Sequence, residues 1–332
     1  MLPRTSSART RHQGFDIIGD VHGCHQELAE LLSAMGYRRR KGVWRHPSRL
    51  AVFVGDLIDR GPEIEAVLET VAAMVEAGSA ECILGNHERD LIYFHTLNAS
   101  GKPMRERSEG RIEQLKATHE QLGMRSRKLK RWVRWMRALP IVFERPGLRV
   151  VHGAWHEPSV KVWRGKSLAS RGVMRKLENR ESPEAGSLAT LLFGPVIMFK
   201  MRDSKGRKRL YNMRARWFRR PEELSAPTLW HAAFHRRKRW PRSTLTDDDR
   251  KSLWGYPKSE PPLVTGHQSL GLKASIRPLL PNLACVDYSA VYGGRLCAYR
   301  WSGEERLKRG NFVAVTARRP PRKPRVRKEK RA

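Results

Sequence analysis

The chain has 332 residues, 39% of them hydrophobic, and carries 66 Lys and Arg against 33 Asp and Glu, a formal net charge of +33. That length and apolar content can fill the core of one large domain or two small ones, and no apolar run approaches the roughly 20 residues needed to span a bilayer. The charge is far beyond what solubility asks for and points to a polyanionic partner.

Residues 1–14, beginning MLPRTSSARTRHQ, are basic and lack the apolar segment of a secretory signal, so a disordered arm on a cytoplasmic protein is expected. Their Arg and Ser content without acid also resembles an organelle transit peptide, but a first strand at Phe15 leaves little length for a removable segment. Phe15–Ile18, Leu50–Val54 and Glu81–Leu84 are compact, mostly apolar runs that each stop at a glycine. Between them Leu28, Leu31, Leu32 and Met35, and then Ile64, Val67, Leu68, Val71, Met74 and Val75, recur at helical spacing, with Gly36 and Gly78 as stops. The alternation reads βαβαβ.

The segment 102–137, with Leu139 just past its end, carries Leu129, Trp132, Val133, Met136 and Leu139 on one helical face and basic residues elsewhere around the helix, which predicts an amphipathic lid or cap. Ile141–Phe143 and Leu148–Val151, separated by Glu144–Gly147, read as a hairpin; Pro262–Thr265, Leu283–Asp287 and Arg295–Trp301 supply later strands. Two packed mixed sheets flanked by helices are therefore expected over 15–316, with a second insert at 155–261 rich in Arg, Trp and Pro. Residues 317–332 mix Pro with dense positive charge and almost no apolar side chain, so a disordered tail is predicted. The four cysteines, Cys24, Cys82, Cys285 and Cys297, form no CxxC pair and read as buried reduced thiols.

Five short segments carry the chemistry: GDVHG at Gly19–Gly23, GDLIDRG at Gly55–Gly61, GNHE at Gly85–Glu88, VHG at Val151–Gly153, and Gly266-His267. Each follows an apolar run and presents Asp, Asn or His, which places those side chains at the carboxyl edge of a sheet, where open α/β sheets hold their sites. Together they look like metal ligands. Carboxylate, amide oxygen and imidazole suit Mn²⁺, Fe or Zn²⁺ better than Ca²⁺, and the absence of thiolates argues against a structural zinc site. Phosphate-ester hydrolysis needs a hydroxide, neutralised phosphoryl oxygens and a proton for the leaving oxygen; two ions with a shared ligand meet the first two needs.

These segments, in this order, resemble the calcineurin-like metallophosphoesterase superfamily. Their GDxxDRG and GNHE forms resemble its phosphoprotein-phosphatase branch, which includes bacterial diadenosine tetraphosphatases and PrpE-type enzymes. The closing segment VDYSAVYGGRLCAYRW, Val286–Trp301, is similar to the last strand pair of the diadenosine tetraphosphatases. The resemblance implies a four-layer αββα sandwich and two divalent ions, Mn²⁺ before Fe or Zn²⁺. Asp20 and His22 would bind the first, Asp56 would bridge, and Asn86, His152 and His267 would complete the second. It implies His87 as general acid, oriented by Asp59, and Arg60 as the grip on phosphoryl oxygens. A second phosphate-binding arginine is expected between the His152 and His267 segments, with Arg214 and Arg216 as candidates; His156 is left out of the metal set.

The function implied is hydrolysis of dinucleoside polyphosphates or related nucleotides. Two alternatives stay open: serine/threonine phosphoprotein dephosphorylation, which needs a more open cleft, and a nucleic-acid-binding phosphoesterase acting on RNA ends. For the latter, charge clusters at Arg125–Arg137, His235–Arg242 and Arg318–Arg331, interleaved with Trp132, Trp135 and Trp240, supply phosphate contacts and base stacking.

Overall fold

The computed structural model describes residues 12–202, 206–235, 238 and 240–318. Most of the basic arm and tail, and the centre of the His235–Arg242 cluster, lie outside the described residues. Ala317 and Arg318, assigned to the tail by composition, are docked: Ala317 is buried, and Arg318 donates to Glu27 and Glu30 of the first helix.

The first half alternates strand and helix as its periodicity requires. β1 (Gly14–Ile18) leads to α1 (His25–Ala34), the short ribbon β2 (Arg38–Arg40) and β3 (Val43–Arg45), then β4 (Arg49–Phe53), α2 (Ile64–Glu76), β5 (Ala80–Cys82) and α3 (Asn86–His95). The first insert forms α4 (Glu109–Leu122) and α5 (Arg127–Arg137), followed by β6 (Val142–Arg145) and β7 (Leu148–Val151). The β6–β7 loop is only Pro146-Gly147, shorter than the predicted turn, because Glu144 and Arg145 pair with Arg149 and Leu148, and Gly147 takes φ +80°.

The second insert, unreadable in sequence, contains α6 (Glu157–Trp163), α7 (Arg171–Glu178), α8 (Pro183–Phe193), a hairpin of β8 (Val196–Arg202) and β9 (Lys208–Arg214), and the short helices α9 (Leu229–Ala232) and α10 (Asp247–Lys251). The chain closes with β10 (Leu263–Thr265), β11 (Leu283–Cys285), β12 (Asp287–Tyr288), β13 (Arg295–Trp301) and β14 (Phe312–Thr316).

Two sheets form the centre. In the first, β1, β4 and β5 run parallel, while β13 pairs antiparallel with β1 on one edge and with β14 on the other; β12 extends the β1 edge of β13. The second has the order β11-β10-β7-β6, parallel from β11 to β7. Strand alternation sorts the side chains. Ile17, Val52 and Tyr299 of the first sheet share one core with Val150, Val264 and Ala284 of the second. Ile18, Ala51 and Phe53 point the other way, into the core that includes Leu28, Leu31 and Leu32 of α1 and Val67, Leu68 and Val71 of α2. Val151, Leu263 and Leu283 share a core with Val160, Leu188 and Leu191 of α6 and α8, which gives two packed sheets flanked by helices.

All four cysteines are buried and unpaired. Trp132 and Trp240 are buried as well, which removes them from the set expected to stack on bases: Trp132 lies on the inward face of α5, and Trp240, outside any helix or strand, packs into the core beside β8 and β9. Among the described residues no helix is long and apolar enough to cross a membrane. Replacing Leu68, fully buried in α2, by Ala is expected to cost about 2–5 kcal/mol in urea unfolding through lost burial and the cavity left behind.

Candidate metal centre

Because β1, β4 and β5 are parallel neighbours, GDVHG, GDLIDRG and GNHE all leave the same edge of the first sheet. β7 and β10, also parallel, release VHG and Gly266-His267 beside one another in the second sheet. The turns are tight. His22, Asp56, Asp59, Arg60 and His267 all hold positive φ, between 45° and 70°, a region L-residues enter at a cost and that clusters at functional sites. Gly55, at φ +94°, lies so close to Gly85 that a Cβ on either would strike the other loop's backbone.

Glu88, which the sequence reading left without a role, gathers these loops. Its buried carboxylate accepts from the N–H groups of Asp56 and Leu57 at 2.8 Å, Gly85 at 3.1 Å and Ile58 at 3.3 Å. Burial, helped by the nearby Asp56 charge, pushes its pKa up to about 7 against the pull of those N–H groups.

The Asp56 carboxylate is the meeting point. His22, Asp56 and His87 form one group of metal-competent atoms and Asp56, His152 and His267 a second, each within 4.8 Å. Asp56 Oδ2 lies 3.4 Å from His152 Nε2, 3.7 Å from His22 Nε2 and 3.9 Å from His87 Nε2. Nδ1 of His22 is 2.7 Å from the Ile58 carbonyl and Nδ1 of His152 is 2.8 Å from that of Val54, contacts that only an N–H can make, so both rings turn Nε2 inward. Asn86 Oδ1 stands 2.6 Å from His267 Nδ1, 3.0 Å from His152 Nε2 and 3.3 Å from Asp56 Oδ2. His267 Nε2 is buried with no partner among the described residues.

The charges tell the same story. Burial raises the Asp20 pKa well above the carboxylate range, aided by Asp287, and burial likewise raises that of Asp287. At Asp56 burial also pushes upward but is outweighed by His152 and His87, which hold it well below the usual range. Burial alone would lower His152, yet the Asp56 carboxylate lifts it to about 9. Three buried carboxylates and a ring of converging lone pairs fit a pair of divalent cations sharing Asp56, since bound cations reverse this local balance.

Two residues, Asp20 and His87, sit differently from the implied division. Asp20 is in neither group; both its oxygens lie 3.2 Å from the backbone N–H of His267. His87, expected outside the ligand set, groups with His22 and Asp56. Its other nitrogen, Nδ1, is 2.5 Å from Asp59 Oδ2. Asp59 in turn is held by Thr118 of α4, whose hydroxyl donates to Asp59 Oδ1 and accepts the Asp59 N–H at 3.1 Å. Arg60 spans the rings, Nη1 at 2.6 Å from His22 Nε2 and Nη2 at 2.9 Å from His87 Nε2. Arg214 reaches the site and donates to the His267 carbonyl at 2.6 Å; Arg216, two residues on, lines a separate hollow with Arg219 and Glu223. His156 stays out, its Nδ1 at 2.9 Å from Ser159 Oγ and its ring against Trp254.

The metal-competent groups open into a cleft of about 800 Å³. Both inserts wall it: Arg105, Arg111 and Gln114 come from the first, Arg180, Phe193 and Arg214 from the second.

Residues 15–175 match a family model described as calcineurin-like phosphoesterase. With the two-sheet fold and the five segments in place, the chain carries a calcineurin-like metallophosphoesterase domain. A curated relative, Bis(5'-nucleosyl)-tetraphosphatase PrpE (asymmetrical) of Halalkalibacterium halodurans, is 51% identical over 74 residues, 22% of this chain and 30% of the relative. The protein of that name from Bacillus subtilis is 43% identical over 74 residues, again 30% of its length. The chain thus spans under a third of these two relatives. Among solved structures, one provisionally described as a diadenosine tetraphosphatase is 20% identical with a TM-score of 0.44, covering 95% of this chain and 96% of that one. A protein serine/threonine phosphatase from Saccharomyces cerevisiae with similarity to human phosphatase PP5 is 12% identical with a TM-score of 0.47, covering 96% and 84%.

Replacing Glu88 by Ala leaves at least three buried N–H groups unpaired. Its expected cost is about 3 kcal/mol or more in urea unfolding, and an unchanged midpoint would show that the loops hold themselves.

Proposed function

We propose that the protein is a dimetal phosphohydrolase that cleaves a phosphoanhydride bond in dinucleoside polyphosphates or related nucleotides. The observation that carries this reading is the continuity of the Asp56-centred ligand groups with an arginine-lined cleft of nucleotide size, walled by both inserts. A protein loop needs an open cleft, and the walls count against the phosphoprotein alternative. The PrpE relatives, named as asymmetrical tetraphosphatases, support the same substrate class.

Asp20, His22, Asp56, Asn86, His152 and His267 would hold the ions, with Mn²⁺ the first choice and Fe or Zn²⁺ compatible with the donors. When bound, the pair supplies Lewis acidity toward a phosphoryl oxygen and lowers the pKa of a water. The residues supply the rest. Arg60 and Arg214 neutralise and orient the phosphoryl oxygens through their planar forks. As water oxygen bonds to phosphorus and the bridging P–O bond breaks, the leaving oxygen takes a proton from His87 Nε2. Asp59 holds the ring through Nδ1, and Thr118 holds Asp59.

The test is product analysis of diadenosine tetraphosphate incubated with Mn²⁺-loaded protein, with Asp56→Asn as the blank. AMP together with ATP, or ADP alone, supports the reading and shows which bond is attacked; intact substrate rejects it. His87→Ala is expected to lower turnover of poor leaving groups by about 10²–10⁴ with metal content retained. Collapse of metal content would make His87 a ligand, as its grouping with His22 and Asp56 allows. Thr118→Val is expected to lower turnover in the same direction by less, roughly tenfold, as read from kcat on poor against good leaving groups.

A further inference from the structure

The cleft continues past the metal-competent groups along α3. Asn86 and His87 begin that helix, and Arg89, Asp90 and Tyr93 follow one to two turns on, about 4–10 Å further along its axis. This distal part is crowded with like charge. Arg89, Arg105, Arg111 and Arg180 line it, and Asp90 is the acid among them. Asp90 is buried and pairs with both Arg89, at 2.8 Å, and Arg105, while Gln114 donates to its other oxygen at 3.2 Å.

Arg89 is itself fixed. Its guanidinium lies 4.9 Å from the Tyr93 ring centre and 4.6 Å from that of Phe193, and its Nε has no partner among the described residues. Phe193 also stands edge-on to His267 at 5.7 Å, so one ring braces both parts of the cleft. Arg111, from α4, and Arg180, between α7 and α8, make no ion pair among the described residues. Burial lowers the Arg89 pKa to about 10, and both of these arginines push it in the same direction, which places them within electrostatic reach of it. Arginines from α3 and from two separate inserts thus converge on one hollow with a single carboxylate, among the described residues, to offset them, an arrangement that an anion would relieve.

We propose that this arginine wall is a second anion subsite that takes the phosphates of a polyphosphate chain lying beyond the scissile one, with Arg111 and Arg180 as its cations that are unpaired among the described residues. The subsite deepens the phosphoanhydride reading and rests on it: it selects substrates with several consecutive phosphates over monoesters, because only these reach both parts of the cleft.

The experiment is calorimetric titration of the metal-loaded full chain, at a fixed free Mn²⁺ concentration, with the non-hydrolysable bis(methylene) analogue of tripolyphosphate and with methylphosphonate. The double variant Arg111→Ala/Arg180→Ala is compared with Arg39→Ala/Arg40→Ala, which removes the same charge from exposed β2. The expected result is a preference for the three-phosphorus ligand that falls about tenfold or more in the first variant and stays within about twofold of wild type in the second. An unchanged preference in Arg111→Ala/Arg180→Ala, or an equal fall in both variants, overturns the subsite. The readout needs no turnover: intact diadenosine tetraphosphate alongside a retained preference removes the substrate assignment, whereas cleaved dinucleotide with no effect of the variants removes the subsite alone.

Discussion

The Asp56 carboxylate lies in the interior, within 3.9 Å of three imidazole Nε2 atoms that come from two loops and the start of α3. Its negative charge lifts the pKa of His152 while it is itself held ionised, and its position decides where a cation could sit. Moving it by an ångström would separate the two ligand groups that share it. Much of the surrounding structure acts to prevent that: Glu88 clamps the backbone on either side, Gly55 and Gly85 let two loops touch, and the strained φ at Asp56 is over-determined by these contacts.

The scaffold achieves this with short-range rules. Parallel strands release their loops at one edge, and alternation along β4 sends Val52 to the inter-sheet core and Phe53 to the helices. The second sheet adds two histidines from its own parallel pair. The inserts then contribute polar side chains, not only shelter: Thr118 reaches the Asp59 carboxylate, and Arg214 reaches the backbone of His267. A segment that periodicity marks as a cap is thereby also a support for the residue proposed as acid.

The first half of the fold was legible because its apolar runs are short, stop at glycine and alternate with clean helical faces. The motif residues were legible for the same reason: Asp, Asn and His directly after a strand have few structural excuses. The hairpin β8–β9 was not, because Val196 and Met198 face solvent while Ile197 and Phe199 face inward, which hides the period of two. Glu88 occupies helix position N3, where an acid is ordinary and signals nothing further, and Thr118 carries no signal at all within α4; its role exists only through a contact 59 residues away in sequence. Arg214 and Arg216 were indistinguishable in NMRARWF until the strand end turned one into the cleft and the other away. Trp132 and Trp240 show the opposite error, in which aromatic residues beside basic ones belong to the core.

The central claim is that two cations share Asp56. It is tested most directly by counting metal ions bound to the purified chain, by elemental analysis after equilibration with Mn²⁺ and removal of free ion, in wild type and in Asp56→Asn. The account predicts two ions per wild-type chain and loss of at least one in the variant with the fold retained. Two ions in both proteins, or fewer than two in the wild type, would contradict it.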